Sequence, residues 1–211
     1  MEWAVWKPLY LKIVRDFNYS LKADLESAAV LANIVDPSKI PRFRTIADLI
    51  GERVSICGAA DLLEAELGNL SMHRTIISAG SATERLMVQG IVPDVVVTDL
   101  DGDVERQIEA SVEGSLVFVH AHGDNIDDIM ENVPRFTGPI VPTVQCQPFG
   151  YVYNFGGFTD GDRAYFIVKH FGAADIELVG WDTITVGRKG DIDLSVKKKK
   201  LIWAERLMNM Y

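Results

Sequence analysis

Apolar and polar positions alternate along this chain with two different periods, and the change between them divides it. Over the first fifty residues Trp6, Tyr10, Ile13, Val14 and Phe17 recur at three- and four-residue spacing, the signature of one helical face. A second helix is predicted over Leu21 to Val35, stopping before Pro37. Residues 1–50 therefore read as an N-terminal helical extension without assigned chemistry. Its aromatics offer either a cover for the rest of the fold or a face for a homodimer.

From Arg53 onward short β-branched runs alternate with helical stretches. Strands are expected at Val54–Cys57, Arg74–Ser78, Val95–Val97, Leu116–His120, Ile140–Val144 and Ile176–Val179. Helices are expected at Leu62–Leu67, from Ala82 to near Gly90, at Ile126–Val133, at Asp162–Phe171 with Gly172 behind it, and at Leu194–Tyr211. Regular βαβ alternation implies an α/β domain over residues 51–211, a mostly parallel Rossmann-like sheet flanked by helices. In such sheets ligands bind beyond the carboxyl ends of the strands.

The candidate chemistry falls at those ends. The third strand runs into Thr98-Asp99-Leu100-Asp101-Gly102-Asp103. An extended chain puts Asp99 and Asp101 on one side and Leu100 on the other. Two carboxylates so close repel each other, and a hard divalent cation such as Mg²⁺, carrying substrate phosphates, relieves the conflict. An acidic surface turn is the plainer reading. The fourth strand delivers His120-Ala121-His122-Gly123-Asp124-Asn125. This set suits a zinc or iron site, hydrogen bonding to phosphate or a heteroaromatic ligand, or simply a polar turn.

A third cluster is Asn154-Phe155-Gly156-Gly157-Phe158-Thr159-Asp160-Gly161-Asp162-Arg163-Ala164. Thr159 and Asp162 have capping-box spacing. That leaves Asp160 free to complete a metal shell and Arg163 to grip a phosphate. Gly58-Ala59-Ala60 after the first strand is either an anion-facing turn or a tight connection. The run Lys197–Lys200 is either a solvated face or a neutraliser of polyphosphate charge.

Composition narrows the classes. A formal charge of −9 argues against a nucleic-acid surface. Two cysteines, Cys57 and Cys146, stand in no metal-like spacing, and Cys57 lies in an apolar run as an inert buried thiol does. No apolar stretch reaches membrane-spanning length and no basic-then-apolar leader opens the chain, so a cytoplasmic protein is expected.

Taken together, the acidic strand end, the His-Ala-His-Gly-Asp-Asn turn and the Gly-Gly-Phe-Thr-Asp-Gly-Asp-Arg-Ala segment resemble the archaeal 6-hydroxymethyl-7,8-dihydropterin pyrophosphokinase family. The likeness runs from the first strand to Lys200-Leu201. That family is related in fold to thiamine pyrophosphokinase, whose acidic motif and Thr-Asp pair look like Asp99/Asp101 and Thr159/Asp160 here. The resemblance implies Mg²⁺-dependent transfer of diphosphate from ATP to a reduced pterin with release of AMP, in folate or methanopterin biosynthesis.

Asp99, Asp101, Asp124 and Asp160 are then the expected catalytic carboxylates, with Asp99, Asp101 and Asp124 on the metal. Gly58, Gly80, Thr98, His120 and His122 are expected at ATP or pterin, as are Asn125, Thr159, Asp162, Arg163 and Lys200. Related sequences carry a Gly-Pro-Ser turn after the first strand where this chain has Ala59-Ala60-Asp61, so only Gly58 is carried over from that turn. A thiamine-type diphosphokinase, a non-catalytic nucleotide-binding module and a His/Asp metallohydrolase are the competing readings.

Overall fold

A computed structural model describes residues 1–182 and 194–210. Six strands form one sheet: β1 (Arg53–Cys57), β2 (Thr75–Ala79), β3 (Val95–Thr98), β4 (Leu116–Ala121), β5 (Ile140–Val144) and β6 (Asp175–Val179). Every pairing is parallel, in the order β5-β4-β3-β2-β1-β6. The chain steps outward from β1 to β5 and then returns to place β6 on the far side of β1. The strand order therefore reverses between β1 and β6.

The strands read as nearly unbroken apolar runs because both faces of the sheet are covered. Val54, Ile56, Ile77, Val95, Val97 and Phe118 alternate onto one face. There they meet Ile46 and Ile50 of α3 (Phe43–Ile50) and Ala164, Ile167 and Val168 of α8 (Asp160–His170). The intervening residues Val96, Val117, Val119 and Ala121 face the other way. They join Ala28 and Leu31 of α2 (Leu21–Ile34), Ala110 of α6 (Val104–Val112) and Ile129 of α7 (Ile126–Asn132). A smaller cluster seats α4 (Leu63–Leu67) and α5 (Ala82–Val88) over Cys57 and Ile76.

The N-terminal helices are part of this packing. Trp6, Tyr10 and Ile13 of α1 (Trp3–Phe17) are buried in the larger core, so this part of the stripe covers the fold. Ser20 caps α2 by accepting the Ala23 N–H, as its place before the apolar run suggests. The C-terminal helix, α9 (Leu194–Asn209), is held by Trp203 and Leu207; Tyr211, the expected end of that helix, lies outside the described residues. Among the described residues no helix is long and apolar enough to cross a membrane.

Candidate active site at the carboxyl edge of the sheet

The acidic loop turns abruptly where β3 ends. Leu100 adopts a left-handed backbone, φ +69°, although a bulky side chain disfavours that region. Its N–H donates to Thr98 Oγ1 at 2.8 Å while its side chain is buried in the core. The turn, not continued extension, is what separates Leu100 from the two aspartates. Gln107 of α6 fixes the loop from below: its Oε1 accepts the Thr98 hydroxyl and its Nε2 donates to the Asp101 carbonyl, both at 2.9 Å. Thr98 is thus wholly engaged and fully buried; it positions the loop and does not face a ligand. Asp103 caps α6, accepting the Arg106 N–H.

Asp99, Asp101 and Asp160 come together, each offering an oxygen within 4.8 Å of the others. Asp160 arrives from the first turn of α8, which crosses beneath β1, β2 and β3. It packs against Gly80 so closely that a Cβ there would stand 2.7 Å from Asp160 Oδ2 and 3.6 Å from Asp101 Oδ1. Gly80 is therefore an allowance of space for the carboxylates, on a backbone at φ +54°. Asp124, expected on the metal, is not in this cluster. It is exposed at the rim of a neighbouring pocket, because the β4 loop turns it outward and its N–H donates to His122 Nδ1 at 3.3 Å.

Burial and mutual repulsion shape the charges. Burial pushes the Asp160 carboxyl well above the ordinary range, Asp99 adds to the push, and Arg163 opposes it. Arg163 Nη1 donates to Asp160 Oδ1 at 2.6 Å and Nη2 to the Phe158 carbonyl at 3.2 Å, leaving Nε buried without a partner. Burial acts on Asp99 in the same upward sense. It is the largest single influence there, but the hydrogen bond and charge of His122 together with Arg163 and Lys200 outweigh it, so Asp99 lies below the usual carboxylate range. Asp99 Oδ1 is buried and, among the described residues, unpartnered.

His120 is buried beside this group. The Thr143 hydroxyl donates to the Val119 carbonyl at 3.0 Å, so its oxygen accepts from His120 Nδ1 at 3.1 Å. That network assigns the proton to Nδ1 and leaves Nε2 as a bare acceptor, buried without a partner. Burial, then the nearby Arg163 and His122, drive the ring well below the ordinary histidine range. His120 is a neutral acceptor here.

Four other expected contact residues serve the framework. Asn125 Nδ2 donates to the Asp99 and His120 carbonyls at 2.7 and 2.8 Å, while its Oδ1 accepts from the His122 N–H and the Ser27 hydroxyl. With both donors and its acceptor committed, Asn125 braces the site and has no hydrogen left for a ligand. Asp162, fully buried, accepts the N–H groups of Phe158 and Thr159 and the Thr159 hydroxyl; with Thr159 it forms the capping box and does no more. The N–H groups of Gly58 and Ala60 donate to the carbonyls of Val179 and Gly180. The turn after β1 is a joint to β6, not an anion cradle.

Two pockets of about 220 Å³ each flank the carboxylates. Asp99, His122, Arg163 and Lys200 line the first, together with Tyr19 and Asp24 from the N-terminal region. Gly58, Ala60, Thr159, Gly161 and Trp181 line the second, with Leu201 of α9. Lys200 thus stands beside the site, its ammonium 5.9 Å from the Phe158 ring centre. Asp24 and Gln145 were not among the expected site residues, though a carboxylate on the buried stripe of α2, in step with Ser27, Ala28 and Leu31, is a legible signal.

Comparison with known proteins shows the family. Residues 28–186 match the family model described as 6-hydroxymethylpterin diphosphokinase MptE-like. The chain belongs to that family. It is 41% identical to a Pyrococcus furiosus protein over 86% of this chain and 78% of the relative. It is 35% identical to one from Methanocaldococcus jannaschii over 99% of this chain and 95% of the relative. It is 38% identical to one from Methanothermobacter thermautotrophicus over 99% and 94%. All three relatives bear the name 6-hydroxymethyl-7,8-dihydropterin pyrophosphokinase.

Proposed function

We propose that this member of the MptE-like family transfers the terminal diphosphate of ATP to the hydroxymethyl oxygen of 6-hydroxymethyl-7,8-dihydropterin and releases AMP, with Mg²⁺ as the metal. The observation that carries the reading is the Asp99–Asp101–Asp160 cluster, with an unpartnered buried oxygen on Asp99, lying between two pockets. The names of the relatives supply the substrate class.

In the reaction the hydroxymethyl oxygen bonds to the β-phosphorus, the bond from that phosphorus to the oxygen bridging the α-phosphate breaks, and AMP leaves with the bridging oxygen. The hydroxyl proton passes to a base. The donor set fits a hard divalent cation, since it is all oxygen, anionic and closely spaced. Asp99, Asp101 and Asp160 would hold Mg²⁺, which supplies neutralisation of phosphate charge when bound.

The chain's own residues do the rest. Arg163, whose guanidinium is anchored to Asp160 and the Phe158 carbonyl, presents a fixed positive charge to the transferring group. Lys200 adds a second cation at the rim of the first pocket. His122, fixed by the Asp124 N–H on one nitrogen, directs the other at Asp99 and keeps that carboxylate ionised. Asn125 and Gln107 hold the acidic loop and the histidine turn in register, and alignment of reacting atoms depends on such braces.

The test is an assay of purified protein with ATP, Mg²⁺ and 6-hydroxymethyl-7,8-dihydropterin, followed by mass analysis. The expected result is pterin diphosphate with equimolar AMP, abolished by chelation. ADP as the product would overturn the site of attack. AMP release with thiamine but not the pterin would move the chain to a thiamine-type activity. ATP binding without turnover would leave a nucleotide-binding module.

A further inference from the structure

The two pockets differ in chemistry, and the difference assigns a substrate to each. Resting on the transferase reading above, we infer that the slot beside Trp181 takes the adenosine end of the nucleotide. The polar pocket beneath α2 takes the pterin, and the reacting phosphates lie between them at the carboxylates.

The slot opens where the strand order reverses between β1 and β6, the place at which an open parallel sheet leaves a crevice. Its floor admits no side chain. A Cβ on Gly180 would stand 2.5 Å from the Gly58 carbonyl oxygen, and one on Gly58 would stand 2.9 Å from that of Gly180. One wall is the Trp181 indole, held by its Nε1–H on the Ile56 carbonyl at 2.9 Å and pressed against Gly161, where a Cβ would stand 2.8 Å from the ring. Ala60, Leu201 and Ala204 add apolar wall, and Ser81, Thr159, Asp182 and Lys197 bring polar groups to the lining. Such a slot offers a ring face and mostly apolar walls with a few polar groups among them, which suits a purine with its ring nitrogens and amine.

The polar pocket offers the reverse. Asp24, nearly fully buried, accepts the Tyr10 hydroxyl and the Gln145 amide on Oδ2, at 2.7 and 3.0 Å. Among the described residues its Oδ1 accepts the Gly123 N–H alone, at 2.9 Å. A carboxylate oxygen carries two acceptor sites, so Oδ1 retains one. The 2-amino-4-oxo edge of a reduced pterin presents N–H donors, one of which that remaining site can accept. Tyr19 and Phe158, with ring centres 6.3 Å apart, add aromatic surface for the heterocycle.

The placement also satisfies the transfer. Asp99 borders the polar pocket, while Ser81, Thr159 and Gly161, the chain neighbours of Gly80 and Asp160, border the slot. An alcohol entering from one side and AMP departing to the other puts the attacking and leaving oxygens in line through the phosphorus.

The experiment is calorimetric titration of α,β-methylene-ATP, which cannot release AMP, and separately of the oxidised, stable 6-hydroxymethylpterin. Three variants are compared with wild type: Ala60→Leu, which fills the slot, Trp181→Leu, which removes its ring wall, and Tyr19→Ala in the polar pocket. The first two are expected to weaken the nucleotide analogue at least tenfold and leave the pterin within twofold; Tyr19→Ala is expected to do the reverse. Should either slot variant fail to fold, the other carries the comparison, and Tyr19→Ala reads the second pocket independently. Slot variants that weaken the pterin and spare the nucleotide, or that alter neither, would overturn the assignment while leaving the transferase reading intact. Wild-type protein that binds neither probe would instead remove the transferase reading and the assignment with it.

Discussion

His122 Nε2 stands 3.4 Å from Asp99 Oδ2, while the other oxygen of Asp99 is buried with no partner. One oxygen is held by the protein and one is left for a ligand. The contact is also what keeps Asp99 ionised against burial, since the carboxyl's depressed affinity for protons comes from His122 with help from Arg163 and Lys200.

The first prediction follows from that pair. A carboxylate with a lowered folded pKa is ionised above its unfolded value and loses its contribution as pH falls through the folded one. In His122→Ala burial acts unopposed by that hydrogen bond, so Asp99 takes up a proton at higher pH. The acid limb of kcat/KM against pH is expected to move upward, with a loss of about 10–100-fold near neutrality, the usual effect of removing the partner of a metal-site carboxylate. His122→Gln, which keeps a donor, is expected to recover part of the loss. An unshifted acid limb in His122→Ala would show that His122 does not set the state of Asp99.

Asp160 gives a prediction of opposite sign. Its folded pKa is raised by burial and by Asp99, so its contribution to stability is complete below the unfolded value and falls away as pH rises through the folded one. The metal-free protein is expected to lose Tm from this group as pH climbs above the ordinary carboxylate range. Mg²⁺ competes with the proton, so the rise in Tm on adding it is expected to grow with pH; at 100 times Kd binding adds about 2.7 kcal/mol. Asp160→Asn is expected to abolish that rise. A Mg²⁺ effect that is flat with pH, or that survives in the variant, would take Asp160 out of the cation site. Differential scanning fluorimetry with and without chelator measures both.

What could be read from the sequence, and what could not, follows from how local each feature is. The strands were legible because a doubly covered parallel sheet writes itself as Val95-Val96-Val97 or Leu116-Val117-Phe118. The helix α6 was not expected: its fully buried positions are Gln107, Ala110 and Ser111, and Val104 and Ile108 pack on the core only in part. The same buried Gln107 is the brace of the acidic loop, a role that only its contacts with Thr98 and Asp101 reveal. Asp160 and Asp124 looked alike in sequence, each a carboxylate near a turn. Only the long-range crossing of α8 under Gly80 brings the first to Asp99 and Asp101, and only the Asn125 brace turns the second away. The N-terminal helices looked merely auxiliary, although α2 carries Asp24 into a pocket wall.

Asn125 tests that brace. It makes four hydrogen bonds to the Asp99 and His120 carbonyls, the His122 N–H and the Ser27 hydroxyl, all in a buried position. Asn125→Ala leaves those groups without partners, and each unsatisfied buried group costs about 1–3 kcal/mol before relaxation and entering water reduce the sum. A net loss of about 3 kcal/mol is expected, read as a lower urea midpoint at unchanged m. Activity is expected to fall further than stability accounts for, since the two loops the side chain ties carry Asp99 and His122. A variant that keeps wild-type turnover when fully folded would mean that the brace is not needed for alignment.

Gly80 separates backbone strain from loss of space. Its φ of +54° disfavours any side chain, by about 1 kcal/mol or somewhat more for alanine. Gly90, at φ +74°, carries the same kind of backbone penalty but has nothing within 4 Å of an added Cβ. Gly80→Ala and Gly90→Ala are therefore expected to lose similar stability from strain, while only the first drives a methyl to 2.7 Å from Asp160 Oδ2. Because Asp160 is pinned to Arg163 at 2.6 Å and cannot retreat without breaking that pair, the carboxylate cluster must open. Turnover in Gly80→Ala is expected to drop about 100-fold, the cost of a displacement near 1 Å among aligned groups, together with the Mg²⁺-induced rise in Tm. Gly90→Ala is expected to keep both. Equal activity in the two variants would show that the approach of Asp160 to the β2 turn does not matter to the chemistry.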